Sequence, residues 1–212
     1  MSANFNQLVD HFGFANANRV LIQSDDGKTC NVTQVVHYGP IDAEEISSPV
    51  YNPVCVYEVV GTTTVNIVLG DKAPNLNAII TSVEIKTVPG ESAKITIRGT
   101  ANEGARAINR FTFSCGVTPR HRVQNLLNAT TSIVNATSVT AVAKVDPVVV
   151  WEAGAPCASD VVSGVVSVSV DFYGTAPAAA TGWTKVEDPT GCQGNDYKRN
   201  RVNFIKKLSL AA

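Results

Sequence analysis

Strict alternation of apolar and polar residues is the feature that most constrains how this chain folds. Within the predicted strand 160–173, apolar residues occupy every second position from 166 to 172, with Ser or Asp between them: Val166, Val168, Val170 and Phe172. Successive side chains of a β-strand point to opposite faces of a sheet, so this pattern predicts a strand with one buried face. The same alternation over 81–86 and 94–98, around the turn at Pro89-Gly90, predicts a β-hairpin with Val83, Ile85, Ile95 and Ile97 on one face.

Further strand patterns extend along most of the chain. The final stretch, 197–210, also fits a helix, and we interpret it as a strand because its apolar residues mostly alternate. We therefore predict a mainly β fold, an antiparallel β-sandwich or barrel-like domain with one or two short flanking helices, formed as a single domain over 1–212. The other predicted strands are 19–23, 29–38, 54–60, 63–69, 110–114 and one or two long strands over 131–150, broken by Asp146-Pro147.

Helical spacing occurs near the N-terminus and again over 118–127. Near the N-terminus, apolar residues at i, i+3, i+4 and i+7 place Phe5, Leu8, Val9 and Phe12 on one face of a helix. A helix this short is marginal alone and must bury that face. The face packs either on the chain's own core or on a neighbouring subunit.

Residues 39–53 are predicted to form an exposed acidic loop. Gly39-Pro40 opens the segment, and prolines stand near its other end. Such a loop is poorly suited to pack on its own core, so it is a second candidate for contact with a neighbouring subunit. The interface candidates are Phe5, Leu8, Val9, Phe12, Asp42, Glu44 and Glu45.

Composition narrows the classes of function. The net charge of −1 indicates no strongly basic nucleic-acid-binding domain, and no apolar run reaches the roughly 18 residues of a membrane helix. The N-terminus lacks a signal-peptide pattern, which predicts a cytoplasmic chain. Only 17% of residues are charged, so copies of the chain repel each other weakly, which suits a protein that assembles with itself. A β domain with no such role would have a similar surface, because solvent-facing strand positions favour Thr. The five cysteines are odd in number and lack Cys-x-x-Cys spacing, so we expect reduced thiols and no metal.

No catalytic or cofactor-binding motif is present. The sequence lacks both nucleotide-binding glycine fingerprints and the nucleophile elbow of the α/β-hydrolases. The three histidines lie far apart at His11, His37 and His121, and the neighbouring carboxylates at 25–26 and 44–45 are more typical of solvated turns. Five basic residues over 198–207 are best interpreted as a solvated face, since no aromatic platform for bases accompanies them. We expect no enzyme activity and no cofactor.

The overall pattern resembles the structural proteins of tailed bacteriophages, most of all the tail-tube proteins. The resemblance is carried by the helical stretch Phe5–Phe12, the hairpin Ser82–Arg98 closing on Gly99-Thr100, the strand ending Val170-Asp171-Phe172-Tyr173-Gly174, and the closing segment Arg201–Leu210. It implies a β-sandwich with a flanking helix. It also implies subunits that join their sheets into a ring, usually a hexamer, with rings stacked into a tube.

The resemblance implies localisation in the virion tail after assembly in the bacterial cytoplasm. The implied partners are copies of the chain and other virion proteins, with DNA only as passing cargo and no membrane. The alternatives are a head-decoration or head–tail connector protein and a carbohydrate-binding or adhesive β-sandwich, in which Trp151, Trp183 or Tyr173 would line a site. Open strand edges offer a physical reason for assembly, because ring closure pairs their backbone groups.

Overall fold

The computed structural model describes residues 18–20, 23–25, 29–37, 41–49, 54–59, 62–73, 78–101, 107, 109–118, 122–187 and 199–211. Within these residues the chain is mainly β, as the alternation predicted. All strand pairs are antiparallel. The strands are β1 (Asn18–Val20), β2 (Gln23–Asp25), β3 (Thr29–His37), β4 (Ile41–Pro49), β5 (Val54–Val59), β6 (Thr63–Leu69), β7 (Ala78–Thr87), β8 (Lys94–Ala101), β9 (Phe111–Val117), β10 (Ala136–Glu152), β11 (Ala155–Tyr173), β12 (Thr184–Glu187) and β13 (Arg199–Lys207).

Two sheets pack into a sandwich-like core. Sheet A has the order β1-β3-β4-β5-β8-β7-β10-β11-β13-β12, with β2 paired to β3, and sheet B consists of β6 and β9. Buried residues from both sheets form one hydrophobic cluster. Its largest fully buried side chains are Tyr57, Phe113, Phe204, Leu69, Ile79, Ile85, Ile95, Ile97 and Leu126. We call the packed part of the structure the body. It consists of β5–β9, β13, β10 up to Val145 and β11 from Gly164.

Backbone hydrogen bonds join the two sheets at both corners. On one side, β6 continues into β7 through the Gly70 N–H, which donates to the Ile80 carbonyl at 2.7 Å. On the other side, the segment after β13 pairs with β9, where the Ala211 N–H donates to the Arg110 carbonyl at 2.7 Å. The backbone N–H and C=O groups at these corners therefore have hydrogen-bond partners, and no long crossover loop is needed to join the two sheets.

The alternating segments form the predicted strands, and their apolar faces are buried. Val83, Ile85, Ile95 and Ile97 of the β7–β8 hairpin are completely buried, and Val166, Val168, Val170 and Phe172 of β11 are at most 4% exposed. The terminal segment is a strand, with Val202 and Phe204 buried. Asp146-Pro147 does not break the long segment, because a register shift accommodates it within β10.

The prediction of an exposed loop over 39–53 is wrong for residues 41–49. These residues form β4, which lies inside sheet A and pairs with β3 on one side and β5 on the other. Ile41 and Ala43 alternate, and a register shift between Ala43 and Glu45 places Ile46 back in phase. Pro49 is tolerated because it is the last residue of the strand.

Helix is scarce within the described residues. The predicted second helix is one 3₁₀ turn at Leu126–Asn128, whose Leu126 is buried against the core. The predicted N-terminal helix, with Phe5, Leu8, Val9 and Phe12, lies outside the described residues.

Candidate functional site

Strands β10 and β11 extend past the rest of sheet A as a two-stranded arm. The pairing of β10 with β7 ends at Lys144, and the pairing of β11 with β13 ends at Val165. Beyond these points the two strands pair with each other up to Glu152 and Ala155. We call residues 147–161 the arm. Its two-residue turn, Ala153-Gly154, has φ angles of 49° and 81°, which matches the tight hairpin turn that suits twisted strands.

The base of the arm is anchored to the body. Val161 is completely buried beside Gly70, and the Asp160 carboxylate accepts hydrogen bonds from the N–H groups of Val161 at 2.7 Å and Asn109 at 3.1 Å. A register shift here sets two residues of β11, Val162 and Ser163, against Asp146 alone on β10. The arm therefore leaves the body from a fixed point.

Valines on the arm and at its base are exposed. Val148 is 49% exposed, Val150 is 53% exposed and Val162, next to the buried Val161, is 63% exposed. Val145, two residues before the arm on β10, is 5% exposed. Single exposed apolar residues are common on proteins, but several along one protruding ribbon mark a candidate contact surface.

The end of sheet A at β12 has a smaller apolar surface. Among the described strands, β12 pairs only with β13. Val186 on β12 is 42% exposed and Ile205 on β13 is 38% exposed. Ile205 lies opposite Thr184 and Val186 opposite Asn203, so these two apolar residues are diagonal neighbours across the strand pair. A short edge strand with nearby apolar side chains is a second candidate contact point.

The outer face of sheet A, away from sheet B, contains a buried carboxylate. Asp171 of β11 is 5% exposed, and its Oδ1 accepts a hydrogen bond from Arg201 Nε at 2.8 Å. Its Oδ2 accepts from Ser138 Oγ at 2.7 Å and from Arg201 Nη2 at 3.3 Å. Burying a carboxylate is costly unless it is paired and hydrogen-bonded, and these donors satisfy that condition.

This carboxylate lies in a polar groove of about 500 Å³ that crosses β7, β10, β11 and β13. Cross-strand register places Lys86 opposite Thr140, Thr140 opposite Ser169, and Ser169 opposite Asn203. We call this feature the polar groove. Its polar and aromatic lining is Glu84, Lys86, Glu91, Thr137, Ser138, Thr140, Ser169, Asp171, Tyr173 and Arg201.

Two observations on the described residues bear on thiol chemistry and metal binding. Cys115 is free and buried, and desolvation raises the pKa of its thiol to about 11, so the reactive thiolate is suppressed at neutral pH. Over the part of the chain that the structure describes, no group of three or more His, Cys, Asp or Glu residues lies close enough to hold a metal ion. Cys30, Cys55 and Cys157 lie on strands of sheet A, but their side chains are not among those described, and Cys192 lies outside the described residues.

The predicted interface residues are not brought together within the described structure. Phe5, Leu8, Val9 and Phe12 lie outside the described residues. Asp42 lies between His37 and Glu58 in the register of sheet A, Glu45 lies between Thr33 and Val56, and Glu44 lies at the register shift. These acidic residues therefore belong to a paired strand and not to a free loop, and their role as interface residues stays a prediction.

Sequence reasoning missed the arm and the polar groove. The arm could have been predicted from one local difference, because polar residues do not alternate with apolar ones in the run Pro147-Val148-Val149-Val150-Trp151 as they do in the other strands. No local signal marks the groove, because its residues come from four strands that are distant in sequence.

Among the helical residues that the structure describes, none forms a helix long and apolar enough to cross a membrane.

Comparison of the chain with protein-family models, with curated proteins and with solved structures gave no match.

Proposed function

We propose that this chain is a structural virion protein that assembles with copies of itself into rings, stacked as the tail tube of a tailed bacteriophage. The observation that carries the self-assembly is the arm with its exposed valines. The virion assignment rests on the resemblance of the strand pattern to tail-tube proteins. The proposal includes no catalytic step.

An isolated two-stranded ribbon is only marginally stable in water. The arm has such a ribbon's pairing, with no third described strand beside it from Pro147 to the tip. Burial of Val148, Val150 and Val162 against a neighbouring copy would contribute about 3 kcal/mol per subunit on the usual scale for apolar burial. Because every subunit carries the same arm, this contribution repeats at each contact of the assembly.

The shape of sheet A supports a ring. The sheet is open, with β12 at one end and the β1–β3 region at the other. A head-to-tail contact between unlike ends generates a closed ring when the rotation closes, and closure covers the edges that would otherwise aggregate. The exposed pair Val186 and Ile205 supplies apolar area at the β12 end. In this arrangement the ends of sheet A form the ring and the arm reaches the next ring.

The test compares the intact chain with an arm-shortened variant. Residues 149–159 are replaced by Asn-Gly, which joins Val148 directly to its partner Asp160 through a favoured hairpin turn and keeps the Asp160 anchor. We expect rings and tubes from the intact chain, by light scattering and negative-stain microscopy. The shortened variant is expected to stay folded, by circular dichroism, and to stop at single rings or smaller species.

A matched control separates the arm from apolar exposure in general. The double variant Val148→Thr and Val150→Thr keeps β-branched side chains but removes apolar area, whereas Val134→Thr alters a 75% exposed valine outside the arm. We expect only the arm variant to reduce assembly. An intact chain that stays monomeric at high concentration would contradict the proposal, and so would tubes that form equally well without the arm.

A further inference from the structure

The polar groove has the features of a built site rather than of an ordinary solvated sheet face. Its volume of about 500 Å³ lies within the range of small-molecule sites. Asp171 in its floor is only 5% exposed, although an aspartate on the outer face of a strand would normally point into water. Packing in the hydrophobic core therefore does not explain why this carboxylate is buried.

The buried carboxylate fixes the guanidinium of Arg201. Asp171 accepts from both Nε and Nη2 of Arg201, while the Arg201 side chain remains 55% exposed in the groove. A guanidinium held by two hydrogen bonds loses little side-chain entropy when a ligand arrives. The Ser138 hydroxyl donates a third hydrogen bond to the same carboxylate, at 2.7 Å, and so helps to fix its position.

The remaining lining indicates the chemistry of the ligand. Five charged residues line the groove, three acidic (Glu84, Glu91, Asp171) and two basic (Lys86, Arg201), so the local balance is slightly negative. Such a balance disfavours phosphates, nucleic acids and other polyanions. The hydroxyls of Thr140 and Ser169 stand in one cross-strand row between Lys86 and Asn203, which gives a surface dense in both donors and acceptors.

A flat aromatic side chain stands at the rim of the groove. Tyr173 follows Asp171 by two residues on β11 and is 42% exposed. Its ring offers an apolar face beside polar groups, an arrangement that suits a ligand with one apolar and one polar side. A sugar ring has this character, because its C–H groups form an apolar face and its hydroxyls lie around the edge.

We infer that the polar groove binds an uncharged oligosaccharide, with Tyr173 contacting a sugar ring and Arg201, Glu84 and Ser169 bonding to hydroxyls. This inference goes beyond the proposed structural function and does not depend on it. A virion subunit with this groove exposed would be able to hold surface glycans, and a monomer would be equally able to bind them.

The test screens the full chain on an array of uncharged microbial and plant glycans. Titration calorimetry with cellohexaose, maltohexaose and chitohexaose follows, with polygalacturonate as the anionic comparator. We expect saturable binding of an uncharged glycan, weakened about tenfold or more by Tyr173→Ala and by Glu84→Gln. Tyr173→Phe is expected to retain binding, because the ring is kept.

Lys144→Ala is the matched control, since Lys144 is exposed on β10 beyond the groove lining. Circular dichroism of every variant establishes that the sheet is intact. The inference is overturned if no uncharged glycan binds at about 5 mM, a concentration that detects even weak sites. It is also overturned if polygalacturonate binds more tightly, or if Tyr173→Ala and Lys144→Ala behave alike. Light scattering on the same samples reports assembly separately, so failure of glycan binding and failure of assembly are distinguishable.

Discussion

Strands β10 and β11 run through both the body and the arm, yet their valines have opposite environments in the two regions. On β10 and β11 within the body, Val139, Val168 and Val170 are completely buried beneath sheet B. Farther along the strands, Val148 and Val150 are about half exposed. Composition and strand type are alike in both regions. The difference arises because β7 and β13 flank β10 and β11 only in the body, so burial is set by the neighbours and not by the strand itself.

The largest effect is expected at Gly70, where the body holds the base of the arm. A Cβ here would lie 2.7 Å from the Asn109 carbonyl oxygen and 2.9 Å from Val161 Cγ2, and the φ angle is +87°. Gly70→Ala should therefore lower the free energy of unfolding by about 3 kcal/mol or more, from strain and overpacking together. Urea unfolding measures this loss.

Gly90→Ala is the control for Gly70→Ala. Gly90 has a similar φ of +81°, but a Cβ added there would meet no atom within 4 Å. Gly90→Ala should therefore lower the free energy of unfolding only by the cost of placing an L-residue at a positive φ angle, about 1–2 kcal/mol. Equal losses at the two sites would contradict the close packing of Gly70 against the base of the arm.

The second prediction compares one valine from each region. Val168→Ala removes two buried methyl groups in the body and should lower the free energy of unfolding by about 2 kcal/mol. Val150→Ala in the arm should change it by less than about 0.5 kcal/mol under conditions that keep the protein unassembled. Denaturant unfolding at low protein concentration measures both. A loss at Val150 as large as that at Val168 would show that the arm is buried within a single subunit.

The third prediction sharpens the description of the arm tip. Ala153 adopts φ of 49°, a left-handed conformation that costs an L-residue about 1–2 kcal/mol, whereas Asn tolerates it. Ala153→Asn creates an Asn-Gly turn and should stabilise the hairpin by about 1 kcal/mol. Hydrogen exchange of the arm amides should slow about fivefold, and the free energy of unfolding should rise by no more than the same ~1 kcal/mol. Unchanged exchange would mean that the turn does not limit opening.

The smallest effect at neutral pH is expected at Cys115 in the body. Burial raises the pKa of its thiol from 9.0 to about 11. The native state therefore holds the thiol proton more tightly than the unfolded state does. The resulting contribution to the free energy of unfolding is fully present below pH 9 and is lost as the pH rises through 11. Alkylation of Cys115 at pH 8 should require unfolding.

The Cys115→Ala variant provides the control for this pH dependence. Between pH 9 and 11 its stability should fall less steeply than that of the intact chain, because the variant has no Cys115 thiol to lose a proton. Rapid alkylation of Cys115 in the folded protein would contradict the buried environment.

Strand positions in the body followed from sequence because alternation is a local property. The β7–β8 hairpin and the buried face of β11 were predicted residue by residue. Residues 41–49 were misassigned because acidic residues and prolines outweighed the weak alternation of Ile41 and Ala43, and a register shift hid the rest. Neither the polar groove nor the cross-strand neighbours of Asp171 could be predicted, since Ser138 and Arg201 lie 33 and 30 residues away along the chain.

The sequence by itself determined that the chain folds into antiparallel strands and which side chains of those strands turn inward. A two-residue period and the turn residues at Pro89-Gly90 are sufficient for that, because each depends only on neighbours along the chain. The tertiary structure alone decided that β10 lies between β7 and β11, that β7 and β13 flank these strands only in the body, and that Asp171 meets Arg201. These outcomes depend on pairing between distant strands, whose backbone groups are the same in every strand and so leave no local mark in the sequence.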